Sequence, residues 1–146
     1  NKLKYRRYSL FYNAYKLKKF ITCHVAIGTD IIHQHPEIDP EKLGKATYLD
    51  FLRFTNRLTE LEGGIIINLG SAVIMPEVFL KALNLVRNKG YKVRNFTAVN
   101  MDMNIQYRAV QNVLLRPTKP AGKSIIIQGK HEINIPLLYQ IIQTLK

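Results

Sequence analysis

Several features are missing from this chain of 146 residues, and each absence narrows the classes of protein to which it can belong. It has no tryptophan and a single cysteine, Cys23, so an intrachain disulfide is impossible and a reducing compartment is expected. No apolar run approaches the roughly 20 residues that span a bilayer, and no segment has the pattern of a signal peptide. We therefore expect a cytoplasmic protein with no membrane partner.

The standard motifs of nucleotide-binding and hydrolytic enzymes are also missing. The chain contains neither G-x-G-x-x-G nor G-x-x-x-x-G-K-[ST], and Ser71 lacks the G-x-S-x-G context of a hydrolase nucleophile. His33 and His35 have no third ligand at a defined spacing, so we favour an ordinary loop pair over a metal site. Any functional site of this chain therefore depends on where the fold places its residues and not on a standard motif.

Acidic residues are absent from residues 1–20, which hold seven of the 22 Lys and Arg residues. The aromatic residues of this segment recur at helical spacing: Tyr8, Phe11, Tyr12 and Tyr15. The pattern predicts an amphipathic helix whose aromatic face packs on the domain or on a second subunit. We favour a solvated basic helix face over a nucleic-acid footprint, because no recognised motif accompanies the charge.

The length of the chain suits one domain, residues 1–146, with a substantial core. The sequence begins at Asn1 and enters the helical pattern almost at once. It is therefore open whether the chain is a fragment or the second half of a longer protein.

Apolar runs and helical periods alternate along the rest of the chain. The predicted strands cover residues 20–27, 65–69, 93–99, 112–115 and 124–128, and the predicted helices cover residues 40–61, 76–89 and 136–145. This order predicts an α/β fold with a mostly parallel sheet, helices on both faces and right-handed crossovers, of the Rossmann-like kind. We read residues 116–123 as a surface connection, because they contain Pro117, Pro120 and Gly122.

The run from Gly64 to Glu77 carries the clearest functional signal. Residues 65–69 are continuously apolar except for Asn68, as in a strand covered on both faces. Gly70, Ser71 and Ala72 then allow a tight turn, and Pro76 suits the first turn of a helix. Backbone N–H groups at such a helix start attract phosphate or carboxylate, which predicts an anionic ligand or nucleotide here.

Polar and glycine residues also follow the other predicted strands, whose carboxyl ends share one edge of a parallel sheet. The candidate binding residues are Gly28, Thr29, Asp30, Asn68, Gly70, Ser71 and Asn100, and the candidate catalytic residues are His131, Glu132 and Asp102. His131 with Glu132 could act as a general acid or base, or could form a structural helix-start pair. Asp30 and Asp102 could bind hydroxyls or an amine, or could cap adjacent turns.

Three stretches resemble a known family: 24–30 with 33–36 (HVAIGTD and HQHP), 68–83 (NLGSAVIMPEVFLKAL) and 129–138 (GKHEINIPLL). They are similar to the carboxyl-terminal half of a poorly characterised bacterial family that resembles deoxyhypusine synthase in its nucleotide-binding fold. The likeness covers about residues 20–142, and its middle stretch is the most specific part. If it holds, an upstream glycine-rich half precedes this chain.

The resemblance implies a sheet of the kind that holds NAD, with Gly70 and Ser71 at the position of the synthase's glycine turn. The synthase forms an imine on a lysine next to tryptophan and glycine, and this chain has no such motif. The leading hypothesis is therefore a nucleotide- or NAD-binding domain of an enzyme of unknown reaction, in a homo-oligomer. The alternative is a non-enzymatic basic module that binds nucleic acid or an acidic partner.

Overall fold

The computed structural model describes residues 3–145 and shows an α/β architecture, which confirms the predicted class. Its three strands are β1 (Ile65–Leu69), β2 (Thr97–Asp102) and β3 (Lys123–Gln128). They form one parallel sheet in the order β1-β2-β3, and each connection between neighbours passes through helix. Asn1 and Lys2, which belong to the predicted basic helix, lie outside the described residues.

The main helices are α1 (Leu10–Lys16), α2 (Pro40–Leu58), α3 (Ile74–Asn88) and α5 (His131–Thr144). Helix α4 joins α-helical turns at Tyr107–Ala109 and Arg116–Thr118 through a π-helical stretch, Val110–Leu115. Single 3₁₀ turns occur at Arg6–Tyr8 and Ile31–Gln34. None of the helices within residues 3–145 is long and apolar enough to cross a membrane.

The hydrophobic core lies between one face of the sheet and helices α2, α3 and α4. Its buried members are Leu58, Phe79, Ala82, Leu83, Val86, Val93, Phe96, Ala98, Val113 and Leu114. The prediction that β1 is covered on both faces is wrong, because Ile65 and Ile67 are 66% and 40% exposed while Ile66 packs against the core. Alternate residues of a strand point to opposite faces, and only one face of this edge strand meets the core.

Residues 20–27 do not form the predicted strand. Instead they run beside α2, whose side chains accept their backbone hydrogen bonds. The N–H of Cys23 donates to Asp50 Oδ2 at 2.9 Å, and the N–H of Val25 donates to Thr47 Oγ1 at 2.9 Å. Because these donors are satisfied by side chains, the segment does not need a neighbouring strand.

Two further strand predictions are corrected. Strand β2 begins at Thr97, since the N–H groups of Arg94 and Asn95 donate to the Glu62 carboxylate at 2.6 and 3.0 Å. Residues 112–115 are helical, and Asn112, Val113 and Leu114 are buried there. Part of the predicted surface connection, residues 116–118, continues this helix with Pro117 and Thr118 buried.

The predicted helices were found with shifted ends. Helix α2 ends at Leu58, before the Gly63-Gly64 pair that was expected to stop it. Helix α5 begins at His131 and contains Pro136, which was expected at its first position. Pro136 lies inside this helix, in its second turn, where its missing N–H removes one helical hydrogen bond.

The aromatic face of the first helix does not pack on the domain, so the first of its two predicted partners is wrong, and packing on a second subunit stays a prediction. Tyr8, Phe11 and Tyr15 are 69%, 57% and 84% exposed. Neither the 3₁₀ turn Arg6–Tyr8 nor α1 contains a buried residue. An amphipathic pattern identifies an apolar face but does not determine what covers it.

Candidate functional site

The carboxyl ends of the three strands lie at one edge of the sheet. Leu69, Met101 and Ile127 are partners across β1, β2 and β3. Just beyond them, the N–H of Gly70 donates to the carbonyl of Met101 at 3.1 Å, and the N–H of Gly129 donates to the carbonyl of Asp102 at 3.0 Å. Hydrogen bonds from both glycines therefore tie the turns after β1 and β3 to the end of β2.

The turn after β1 lies against the first residue of α5. Gly70 has φ +69°, and a Cβ atom built on it would lie 2.9 Å from His131 Nε2. The imidazole is therefore in close contact with the backbone of Gly70, where a larger residue would collide with it. This contact joins two of the residues selected from the sequence.

Two buried asparagine side chains hold the turn after β1 in place. Asn68 Nδ2 donates to the carbonyl of Ser71 at 2.9 Å and to Asn100 Oδ1 at 2.7 Å. Asn68 and Asn100 are 7% and 1% exposed, so these bonds are shielded from water. The pair links the turn to the central strand, and we call it the asparagine pair.

At the start of α3, one backbone N–H group donates to a side chain, and several others have no acceptor within the described part of the chain. Ser71 Oγ, two residues before the N-cap Val73, accepts the N–H of Met75 at 3.1 Å and so satisfies one donor of the first helical turn. The N–H groups of Ser71, Ala72 and Val73 have no acceptor among the described residues. Donors at a helix start are the groups that bind anions, so the turn retains this capacity.

Glu77 lies in the first turn of α3, but its negative charge is compensated within the fold. Its carboxylate contacts Lys81 and Arg108, and it accepts a hydrogen bond from Asn112 Nδ2 at 2.7 Å. Hydrogen bonds from Lys81 and then Arg108 hold the pKa of Glu77 below its usual range. The carboxylate therefore opposes a nearby anion less than an isolated one would.

The Glu77→Gln substitution tests this cluster through the pH dependence of stability. A pKa that is lower in the folded state contributes stability above the unfolded pKa and loses it as pH falls through the folded value. We expect the variant to be less stable than the wild type at neutral pH, by at most about 1 kcal/mol because Lys81 and Arg108 are exposed. Urea unfolding should show this difference vanishing in acid.

The matched control is Glu60→Gln, since Glu60 pairs with Arg57 at 2.6 Å on the exposed surface of the domain. We expect no measurable change in the free energy of unfolding of this variant. A Glu77→Gln deficit that persists unchanged in acid would show that charge is not its cause.

Two buried polar side-chain atoms near the start of α5 lack hydrogen-bond partners within residues 3–145. His131 Nδ1 and Asn134 Nδ2 are buried and have no hydrogen-bond partner among the described residues. Asn134 Nδ2 also lies 2.9 Å from where a Cβ of Gly129 would be. Buried polar atoms are nearly always paired, so these two atoms are exceptions at this edge of the sheet.

Sequence reasoning did not select Asn134. It lies three residues after His131, and this spacing places both on one side of a helix. The signal was missed because the helix was expected to begin at residue 136, beyond both of them.

The remaining candidates at this edge have local interactions. Asp102 ends β2, and its Oδ1 accepts the N–H of Asn104 at 3.3 Å. Glu132 is exposed in the first turn of α5. Their catalytic roles, and that of His131, remain predictions.

Gly28, Thr29 and Asp30 lie in a separate turn and follow no strand. Asp30 Oδ2 accepts the N–H of Ala26 at 2.7 Å, and Thr29 Oγ1 donates to the carbonyl of Ala26 at 3.2 Å. These residues were predicted at the sheet edge because they follow residues 20–27, which were predicted to form a strand. That strand is not formed. Their role in binding remains a prediction without that support.

The two loop histidines also interact locally. His33 Nε2 lies 3.4 Å from the carbonyl of Ala26, and His35 Nδ1 accepts the N–H of Glu37 at 3.2 Å. Within residues 3–145, no three His, Cys, Asp or Glu side chains form a group that could hold a metal ion.

Comparisons of the chain with protein-family models, curated proteins and solved structures found no match. The resemblance to the deoxyhypusine-synthase-like family therefore remains a prediction.

Proposed function

We propose that this chain is a nucleotide- or NAD-binding α/β domain of a deoxyhypusine-synthase-like protein, Rossmann-like with helices on both faces of its sheet, and part of an enzyme. Its ligand would lie across the carboxyl ends of the strands. The observation that carries the proposal is the contact between the Gly70 turn and His131 at that edge. In parallel α/β sheets, this edge is the usual place for a ligand.

The anionic group of the ligand would bind the N–H groups of Ser71, Ala72 and Val73. These donors belong to a turn held by the asparagine pair, so they are ordered before the ligand arrives. Asp102 would accept hydrogen bonds from ligand hydroxyls. No positive side chain is required for this recognition, since oriented backbone donors at a helix start already favour an anion.

His131 is the acid–base candidate of the proposed enzyme. Its ring contacts Gly70 in the turn proposed to bind the anion, which would place the imidazole beside a bound ligand. A cytoplasmic location and a homo-oligomeric state belong to the same proposal. The surface that favours an oligomer is an exposed apolar stripe of α5 and its carboxyl-terminal end, formed by Ile133, Leu137, Ile141 and Leu145.

Calorimetric titration with NAD, ADP-ribose and inorganic phosphate tests the proposal. Binding of NAD and ADP-ribose, with weaker binding of phosphate, is the expected result. If the wild type binds none of the three, the nucleotide proposal fails.

The Ser71→Ala variant distinguishes the contribution of Ser71 to the stability of the fold from its contribution to ligand binding. Because Ser71 Oγ accepts the N–H of Met75 at the start of α3, its loss should lower the free energy of unfolding by about 1 kcal/mol. The backbone N–H groups remain, so we expect affinity to weaken by no more than about tenfold, the equivalent of one neutral hydrogen bond.

The matched control is Ser9→Ala, which removes a serine hydrogen bond at the start of α1, where Ser9 Oγ accepts the N–H of Tyr12 at 3.2 Å. This change should leave ligand affinity unaltered. Equal weakening of binding in both variants would show that the effect of Ser71 is not local to the site.

A further inference from the structure

Residues 3–20 combine positive charge with exposed aromatic rings, and we call this segment the basic aromatic arm. Its cations are Lys4, Arg6, Arg7, Lys16, Lys18 and Lys19, and it contains no acidic residue. Its most exposed rings belong to Tyr5, Tyr8, Phe11 and Tyr15, which are 57–84% exposed. Large exposed apolar side chains on a charged segment need an explanation other than core packing.

The arm contributes nothing to the hydrophobic core. All core members lie at residue 58 or beyond, and the partly buried side chains packed against them begin at Phe51. Ser9 and Asn13 satisfy backbone groups within the arm, so it holds its own short helical structure. The rings are therefore displayed by an ordered segment with no role in stabilising the sheet.

Three cations of the arm lie over its own rings. The Arg7 guanidinium is 4.8 Å from the centroid of the Tyr8 ring, the Arg6 guanidinium is 5.3 Å from that of Tyr12, and Lys4 Nζ is 5.4 Å from that of Tyr5. Each pair offers a flat apolar surface and a positive charge at one place.

We infer that the basic aromatic arm binds single-stranded nucleic acid. A single strand presents flat bases next to phosphate anions, and these are the two groups that a ring with an adjacent cation recognises. The inference is independent of the nucleotide site at the sheet edge. It rests on the exposed rings, which the sequence alone had assigned to packing.

The pairing of rings and cations favours a single strand over other anionic partners. In a duplex the bases are stacked on each other, so exposed tyrosines find no free base face. At a membrane surface, an amphipathic helix separates its cations from its apolar face, whereas here cations lie over the rings. An acidic peptide would engage the cations and leave the rings unused.

Fluorescence anisotropy of a labelled oligouridine of about 16 nucleotides, titrated with the full chain, tests the inference. We expect binding that weakens with salt, with a slope of log K against log salt of about −4 if the six cations each neutralise one phosphate. The Arg6→Gln, Arg7→Gln double variant should make this slope shallower by about 1.

Aromatic variants provide the decisive measurement, because charge alone would not require the rings. Tyr8→Ala and Tyr15→Ala should each weaken binding by about fivefold or more without changing the salt slope. Tyr48→Ala is the matched control, since Tyr48 is 61% exposed on α2, outside the arm, and its loss should have no effect.

Four outcomes would overturn the inference. They are no binding of oligouridine at low salt, unchanged affinity in both arm tyrosine variants, tighter binding of a duplex of equal length, and tighter binding of vesicles of phosphatidylserine and phosphatidylcholine. The last two would assign the arm to duplex nucleic acid and to a membrane surface, respectively.

Discussion

Replacing Gly70 with valine is expected to abolish binding of NAD, ADP-ribose and phosphate. Gly70 has φ +69°, a conformation that costs a residue with a Cβ atom about 1–2 kcal/mol. The new side chain would also meet His131 Nε2, only 2.9 Å from the Cβ position. The turn or the imidazole must therefore move, and the N–H donors proposed to bind the anion would move with the turn. Calorimetric titration measures the loss.

Gly90→Val is the matched control for this experiment. Gly90 has φ +90° and follows α3, but a Cβ atom there would meet nothing within 4 Å. The substitution carries a similar backbone cost without the contact to His131. We expect a comparable loss of stability and unchanged ligand affinity. If Gly70→Val binds NAD as well as the wild type does, the ligand site lies elsewhere.

The asparagine pair is expected to show strong coupling in a double-mutant cycle. Asn100→Leu removes the buried acceptor of Asn68 Nδ2, and each single substitution should lower the free energy of unfolding by about 1–3 kcal/mol. The double variant, Asn68→Leu with Asn100→Leu, should cost less than the sum of the two, since it leaves neither amide without its partner. Urea unfolding of the four proteins gives the coupling energy.

The same four proteins test whether the pair orders the proposed site. Because Asn68 Nδ2 also donates to the carbonyl of Ser71, loss of Asn68 should weaken ligand binding more than loss of Asn100 does. Purely additive stabilities would mean that the two amides do not act as a unit. Equal ligand affinity in all four proteins would mean that the pair stabilises the sheet without positioning the turn.

The strands and helices with strong local signals were the ones predicted from the sequence. The bounds of strand β1 match their prediction, because a short β-branched run is bounded by glycines at both ends. Helix α2 begins at Pro40 as expected, with Asp39 as the cap whose side chain accepts the N–H of Lys42 at 3.0 Å. Such signals act between neighbouring residues and need no tertiary partner.

Predictions that depended on a distant partner were the ones that failed. Residues 20–27 have the composition of a strand, but their N–H groups are satisfied by Asp50 and Thr47 of α2. Residues 113–115 are apolar and lie in a helix that buries Val113 and Leu114, and an apolar run of this length looks the same in a helix as in a strand. Whether a β-branched segment pairs in a sheet is decided by the neighbour available to it.

The sequence by itself determined that this is an α/β chain, that a glycine turn follows its first sheet strand, and that positive charge concentrates near the amino end. Only the tertiary structure decided which polar residues meet. It placed His131 against Gly70 and paired Asn68 with Asn100, while it left Gly28 and Asp30 in another turn. The reason is physical, since contacts between residues 32 or more positions apart depend on strand order and register, which the packing of the whole core selects.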